Sequence, residues 1–122
     1  MSGRLRIAIV APIASADVAA HLDGVAQGLP AGYLGAPLTG VLIGELLRQG
    51  HQVLGITVDY RLGGQAPVVA RGPSFELHVL PGRLRAWRFN GWQPGRALDA
   101  FRVERQALVA TLAALRPDVV HA

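Results

Sequence analysis

The sequence contains no cysteine and no lysine. Without cysteine there is no disulfide framework, no thiolate nucleophile and no thiolate metal site. Without lysine there is no G-x-x-x-x-G-K-[ST] phosphate loop, and no G-x-G-x-x-G follows the first apolar run, which counts against a dinucleotide oxidoreductase. Ser15, Thr39 and Ser74 lack a G-x-S-x-G setting, so hydrolase chemistry has no support. The four histidines show no metal-ligand spacing such as H-E-x-x-H, and no metal site is expected. Asp17 and Asp23 are close in sequence, but their spacing fixes no acid–base geometry. No uninterrupted apolar run approaches the ~20 residues that span a bilayer.

Charge is also sparse. Charged residues make up 16% of the chain against 51% hydrophobic ones, a balance that argues against wholesale disorder. At 122 residues the chain suits one domain or part of one. The net charge of +4 permits an anionic partner without requiring nucleic acid, and none is expected. Arg4 and Arg6 precede a short apolar run, and Ala14-Ser15-Ala16 resembles a small-residue cleavage site. That run is interrupted at Pro12, and cleavage would delete the first strand of a coherent unit. A cytoplasmic location is expected.

What is present is organised around Leu34–Val58. Leu38, Val41, Leu42 and Leu46 form an apolar stripe at helical spacing, predicted to face the core. Pro37 suits the first helical position, and Gly50 the left-handed residue that ends a helix. Val53–Val58 then reads as a strand covered on both faces. The run Arg6–Ala11 is an earlier buried strand, so the pattern is strand, long loop, helix, strand: the opening of a parallel α/β sheet.

The loop between them exceeds the ~2–6 residues usual in such units. A short helix within Ala16–Leu22 absorbs part of it. The rest, Asp23–Gly35, carries Gly24, Gly28, Gly32 and Gly35, and is expected beyond the carboxyl ends of the strands, where ligands of open α/β sheets sit. His21 would reach a ligand from this loop, with a solvated loop histidine as the competing and more common reading. Downstream, Val68–Ala70 and Phe75–Leu80 read as strands, with His78 on an outer face. His51 suits the negative end of the helix before it. A helix from Ala97 to Leu115 has Leu98, Phe101, Leu108, Leu112 and Leu115 as its stripe, with Arg102, Glu104 and Arg105 solvated. Arg116-Pro117 stops it, and Asp118–Ala122 begins another parallel strand.

The order of these elements resembles the N-terminal domain of retaining family 4 glycosyltransferases, which have the GT-B architecture of two Rossmann-like domains. The resemblance spans nearly all of residues 1–122. Its most specific parts are Gly50-His51-x-Val53 and Arg116-Pro117-Asp118-Val119-Val120-His121. It implies a Rossmann-like parallel sheet with helices on both faces, a partial acceptor-side domain, and a missing C-terminal domain that would hold the donor site. The chain is expected to be truncated and inactive alone. The family's Gly-Gly pair at the helix entrance falls near Leu34-Gly35, where Gly35 matches one member, Ala36 follows, and no acidic residue comes after. His121 matches the first histidine of the family's H-x-H strand.

The resemblance thus implies Gly35 and His121 as substrate-binding candidates; Ala36, next to Gly35 at the helix entrance, and His21, from its place in the loop, complete the candidate set. It further implies a nucleotide-sugar as co-substrate, with no resident cofactor in this chain, and a glycan or lipid-linked acceptor. The catalytic residues are not assigned. Arg83, Arg85 and Arg88, interleaved with Trp87, Phe89 and Trp92, suit an anionic membrane surface at its inner face; a plain solvated loop is the competing reading. Two other functions stay open. One is a non-catalytic α/β module binding a small anionic or phosphorylated ligand through Pro12–Gly35, and the other is a basic membrane-surface adaptor.

Overall fold

The computed structural model describes residues 4–23, 35–59, 66–82 and 102–122, the side chain of Val103 excepted. Five strands form one sheet: β1 (Arg6–Val10), β2 (Gln52–Asp59), β3 (Val68–Arg71), β4 (Phe75–Pro81) and β5 (Val119–His121). Three helices accompany them: α1 (Ser15–Val18), continued by a 3₁₀ turn at Ala19–His21, α2 (Pro37–Arg48) and α3 (Arg102–Leu115). The expected helical turn at Ala97–Phe101, the glycines 24, 28 and 32, and Arg83, Arg85 and Arg88 lie outside the described residues.

The strand order is β3-β4-β2-β1-β5. β1 pairs in parallel with both β2 and β5, and β2 in parallel with β4. Only β3 runs antiparallel, as a hairpin arm on β4. This is an α/β protein with a mostly parallel sheet compatible with a Rossmann-like fold, in which the chain runs outward in one direction from β1 and returns to its other side.

Both faces of the sheet are covered. Ile7, Ile9, Val53, Phe75 and Leu77 pack with Ile43 and Leu47 of α2 on one face. Ala8, Leu54, Ile56 and Leu80 pack with Ala107, Leu108, Leu112 and Leu115 of α3 on the other. The alternation along each strand therefore separates two apolar sets, which is why these strands read as nearly continuous apolar runs. Gly55 sits in the middle of β2, where an added Cβ would press at 3.1 Å on both Ile13 and Phe75.

Helix α2 differs from the expected orientation. Leu38 and Val41, predicted to face the core, are 79% and 66% exposed, and the fully buried residue is Ile43. The helix instead turns Gly40, Ile43, Gly44 and Leu47 inward, a second stripe at i, i+3, i+4 and i+7. The cause is the close passage of the preceding segment. A Cβ on Gly40 would lie 2.9 Å from Asp17 Cβ, and one on Gly44 would touch the His21 ring at 3.6 Å. Two glycines a turn apart admit α1 and its 3₁₀ extension alongside α2, and that contact fixes which face meets the sheet.

The end of α2 matches expectation. Gly50 has φ of 92°. Its N–H donates to the Leu47 carbonyl at 3.0 Å, and the His51 N–H donates to Leu46 at 3.2 Å. These two bonds define a Schellman stop that only glycine enters without strain. On the exposed side, Arg48 grips Glu45 through two hydrogen bonds, Nε to Oε2 at 2.8 Å and Nη2 to Oε1 at 2.5 Å. Those bonds, helped by Gln49, hold the Glu45 carboxyl down at a pKa of about 2.

Candidate functional site

The place to look is the carboxyl edge of the sheet, where β1 and β5 lie side by side. Chain connections leave in opposite senses there: α2 follows β1 on one face, and α3 precedes β5 on the other. Such a reversal opens a crevice between the strand ends, and ligands of open α/β sheets bind in it.

Two hydrogen bonds set the register at that seam. The Asp118 carboxylate accepts from the Arg6 backbone N–H at 2.8 Å, and the Asp118 N–H donates to the Arg6 carbonyl at 2.7 Å. The Arg6 guanidinium also donates to the Leu115 carbonyl at 2.7 Å, satisfying an acceptor at the end of α3. Between them, Arg116 takes φ of 50°, reversing the chain out of the helix and into β5.

With that register, His121 lies opposite Ile9 and Val119 opposite Ile7. His121 is exposed and one residue short of the level where β1 ends, about 4.8 Å away across the strand pair. It faces the α2 side, because residues paired in a parallel ladder share a face with their partner. Val119 and Val120 are 45% and 48% exposed on opposite faces of this strand. Beyond β1, the chain passes through Ala11 and Pro12, with the Ala11 N–H donating to the Ile56 carbonyl at 3.2 Å.

Gly35 and Ala36 stand at the start of α2. Because α2 runs back toward the amino end of β2, its first turn lies on the carboxyl side of the sheet, beside α1. Ala36 is the N-cap and offers no side-chain acceptor, while its carbonyl takes the Thr39 N–H at 3.2 Å. Gly35 is exposed, in the turn that leads in.

His21 is not part of this edge, contrary to the expectation that the whole loop gathers beyond the carboxyl ends. The 3₁₀ turn carries it down alongside α2, so that it meets Phe75 at the start of β4, ring centroids 6.2 Å apart. Residues 36 and 47 of α2 bracket the separation, roughly 16 Å of helix. The Asp23 N–H is tied to the Arg71 carbonyl at 2.9 Å, at the same lower edge. The sequence-predicted residues therefore fall in two places, with Gly35, Ala36 and His121 at one edge and His21 at the other.

Other side chains also depart from expectation. His78, expected on an outer face, is buried on the α3 side of β4, its Nε2 3.0 Å from Glu76 Oε1. Glu104, expected to be solvated, is buried on α3, whereas Arg102 and Arg105 are exposed. Both reversals have one cause: this face of the sheet is covered, so a polar residue between apolar neighbours is enclosed with them. His51 has a structural task, its Nδ1 accepting the Leu5 N–H at 3.1 Å.

Asp59 is the residue that sequence reading passed over. It closes β2 at the carboxyl edge and is buried there, its carbonyl accepting the Gly82 N–H at 3.2 Å. An acidic residue terminating an apolar strand was the available signal. Among the described residues, no group of three or more histidine or acidic side chains is placed to hold a metal ion. No helix among them is long and apolar enough to cross a membrane.

These features define an α/β protein with a mostly parallel sheet whose strand order reverses between β1 and β5. No family model matches the chain, and neither a curated protein nor a solved structure matches it.

Proposed function

We propose that the chain is the acceptor-side, Rossmann-like part of a GT-B glycosyltransferase that moves a sugar from a nucleotide-sugar donor to a hydroxyl acceptor. The observation that carries this reading is the position of His121. The Arg116–His121 segment resembles the glycosyltransferase strand, its Asp118 docks that strand onto β1, and its histidine arrives at the mouth of the β1–β5 crevice.

In such a transfer the acceptor oxygen bonds to the sugar C1, the bond from C1 to the nucleotide diphosphate breaks, and the acceptor hydroxyl loses its proton. An imidazole can both donate and accept a hydrogen bond through its two ring nitrogens, which suits His121 to orient a sugar hydroxyl. The first turn of α2 points backbone N–H groups and the positive end of the helix dipole toward the same edge, a favourable setting for phosphate. A donor domain outside this chain would complete the cleft. In this reading Arg83, Arg85 and Arg88 contact anionic headgroups near a lipid-linked acceptor at the inner membrane face, and the protein works in the cytoplasm.

A second reading, a small-anion binding module, draws on the N-cap Ala36, which leaves the entrance of α2 without a side-chain acceptor. Titration followed by amide NMR separates the two. Methyl glycosides shifting Ala11 and His121 support the glycosyltransferase reading. Inorganic phosphate shifting Gly35 and Leu38 alone, with no response to any glycoside, contradicts it and favours the anion module.

A further inference from the structure

Helix α3 has a second face, turned away from the sheet. Ala107, Leu108, Leu112 and Leu115 pack inward on the strands, and Glu104 is buried. On the outer side an open groove of about 370 Å³ follows the helix, lined among the described residues by Arg102, Arg105, Gln106, Val109, Ala110 and Ala113. That volume lies within the ~300–1,000 Å³ typical of small-molecule sites. All six residues are exposed, so a ligand in the groove can reach each of them.

The helix itself fixes where these side chains stand. Steps of three or four residues link 102 to 105 and 106, those two to 109 and 110, and both of these to 113, so the six form one stripe. The stripe is sorted along its length. Arg102 and Arg105 occupy its amino-terminal end, Gln106 follows, and Val109, Ala110 and Ala113 complete it with no polar side chain. Val109 is 65% exposed, an apolar side chain left to solvent. The two alanines keep the surface low, so a chain can lie along it.

The charge along the stripe has one sign. Glu104, the one acidic residue of Arg102–Leu115, is buried and does not line the groove. Both guanidinium groups also make contacts within the protein, but each carries five N–H donors and a fork that matches a carboxylate. Cations at one end and hydrocarbon at the other complement an anionic amphiphile. A cationic amphiphile would meet two arginines, and a short anion would leave the apolar end uncovered.

We propose that this groove binds a free single-chain alkyl carboxylate. The carboxylate sits between Arg102 and Arg105, and the chain lies along Val109, Ala110 and Ala113. From Arg105 to Ala113 is about 12 Å of helix, the span of roughly ten extended chain carbons, which sets a chain of medium length. The site lies on the outer face of α3 and does not depend on the glycosyltransferase reading.

The test is an NMR titration of the whole chain with decanoate, read at the amides of Val109 and Ala113, with butyrate and decyltrimethylammonium for comparison. Decanoate is expected to shift both signals saturably, and the short anion and the long cation each to bind at least about tenfold more weakly, ~1.4 kcal/mol. Replacing both arginines, Arg102→Gln with Arg105→Gln, is expected to weaken decanoate about tenfold. Ala113→Glu changes an exposed helix position and leaves both arginines in place, so circular dichroism should stay unchanged. It is expected to weaken decanoate about tenfold by placing a negative charge on the path of the chain. No saturable shift with about 5 mM decanoate, equal binding of either comparison ligand, or indifference to both substitutions overturns the proposal. So does sedimentation with phosphatidylglycerol vesicles of a protein that free decanoate leaves unshifted, which makes this face a membrane contact instead.

Discussion

Asp118 and Arg6 hold β5 to β1 through a reciprocal pair of hydrogen bonds, the side chain of one taking the backbone N–H of the other at 2.8 Å and the backbone N–H returning at 2.7 Å. β5 has three residues and both of its valines are half exposed, so burial does little to secure it. The clamp, with the Arg6 guanidinium on the Leu115 carbonyl, is what places His121 at the crevice. Replacing Asp118→Ala should cost about 1.5–3 kcal/mol, the range for a hydrogen bond to a charged acceptor. Asp118→Asn should recover about half of it. The measurement is the urea midpoint at unchanged slope.

The inverted orientation of α2 makes a sharp contrast between neighbours. Ile43→Ala removes a fully buried side chain and should destabilise by about 2–5 kcal/mol. Leu38→Gln and Val41→Gln, on the exposed face, should each stay within about 0.5 kcal/mol. If the order is reversed in thermal unfolding, the helix faces the sheet with the stripe that spacing alone suggested.

Three backbone positions predict three different responses. Gly72→Ala places a methyl group against the His21 carbonyl and should cost about 2 kcal/mol or more. Gly50→Ala meets open space, so its cost is the left-handed backbone alone, about 1 kcal/mol. Arg116→Gly relieves the same kind of strain and should be neutral or stabilising by up to about 1 kcal/mol, since a lost unfolded-state restriction offsets part of the gain. Chemical denaturation of the three variants tests the ranking.

The Glu45–Arg48 pair predicts a pH dependence with a definite sign. The folded carboxyl is lowered from 4.5 to about 2, first by the Arg48 hydrogen bonds and then by Gln49. A depressed carboxylate contributes stability that is present above pH 4.5 and lost as pH falls toward 2. Glu45→Gln should flatten the stability curve across that window and nowhere above it. Because the pair is solvent-exposed, molar salt should shrink the difference.

Much of the fold was legible because two periodicities and a few stop signals carried it. The continuous apolar runs gave β1, β2 and β4, and Pro37 and Gly50 bounded α2 as capping rules require. The parallel pairing of β5 followed from its place after α3. The facing of α2 was hidden because two apolar stripes compete on that helix, and the choice lies with Gly40 and Gly44, which matter only once α1 is beside them. His78 and Glu104 misled for a related reason: alternation identifies two faces but not that both are covered. At the site, the end of β5 was readable from its motif. The departure of His21 to the lower edge was not, since a loop of that length leaves the route of the chain open.

The most direct measurement is sugar transfer by the protein as its source makes it, assayed with radiolabelled nucleotide-sugars and membrane-extracted acceptors, wild type against His121→Ala. His121 is exposed at a strand end, so the substitution should leave the fold intact by circular dichroism. The account predicts incorporation from at least one donor and about a tenfold rise in acceptor KM in the variant, the loss of one well-placed hydrogen bond. Transfer with an unchanged acceptor KM, or no transfer from any nucleotide-sugar, would contradict it.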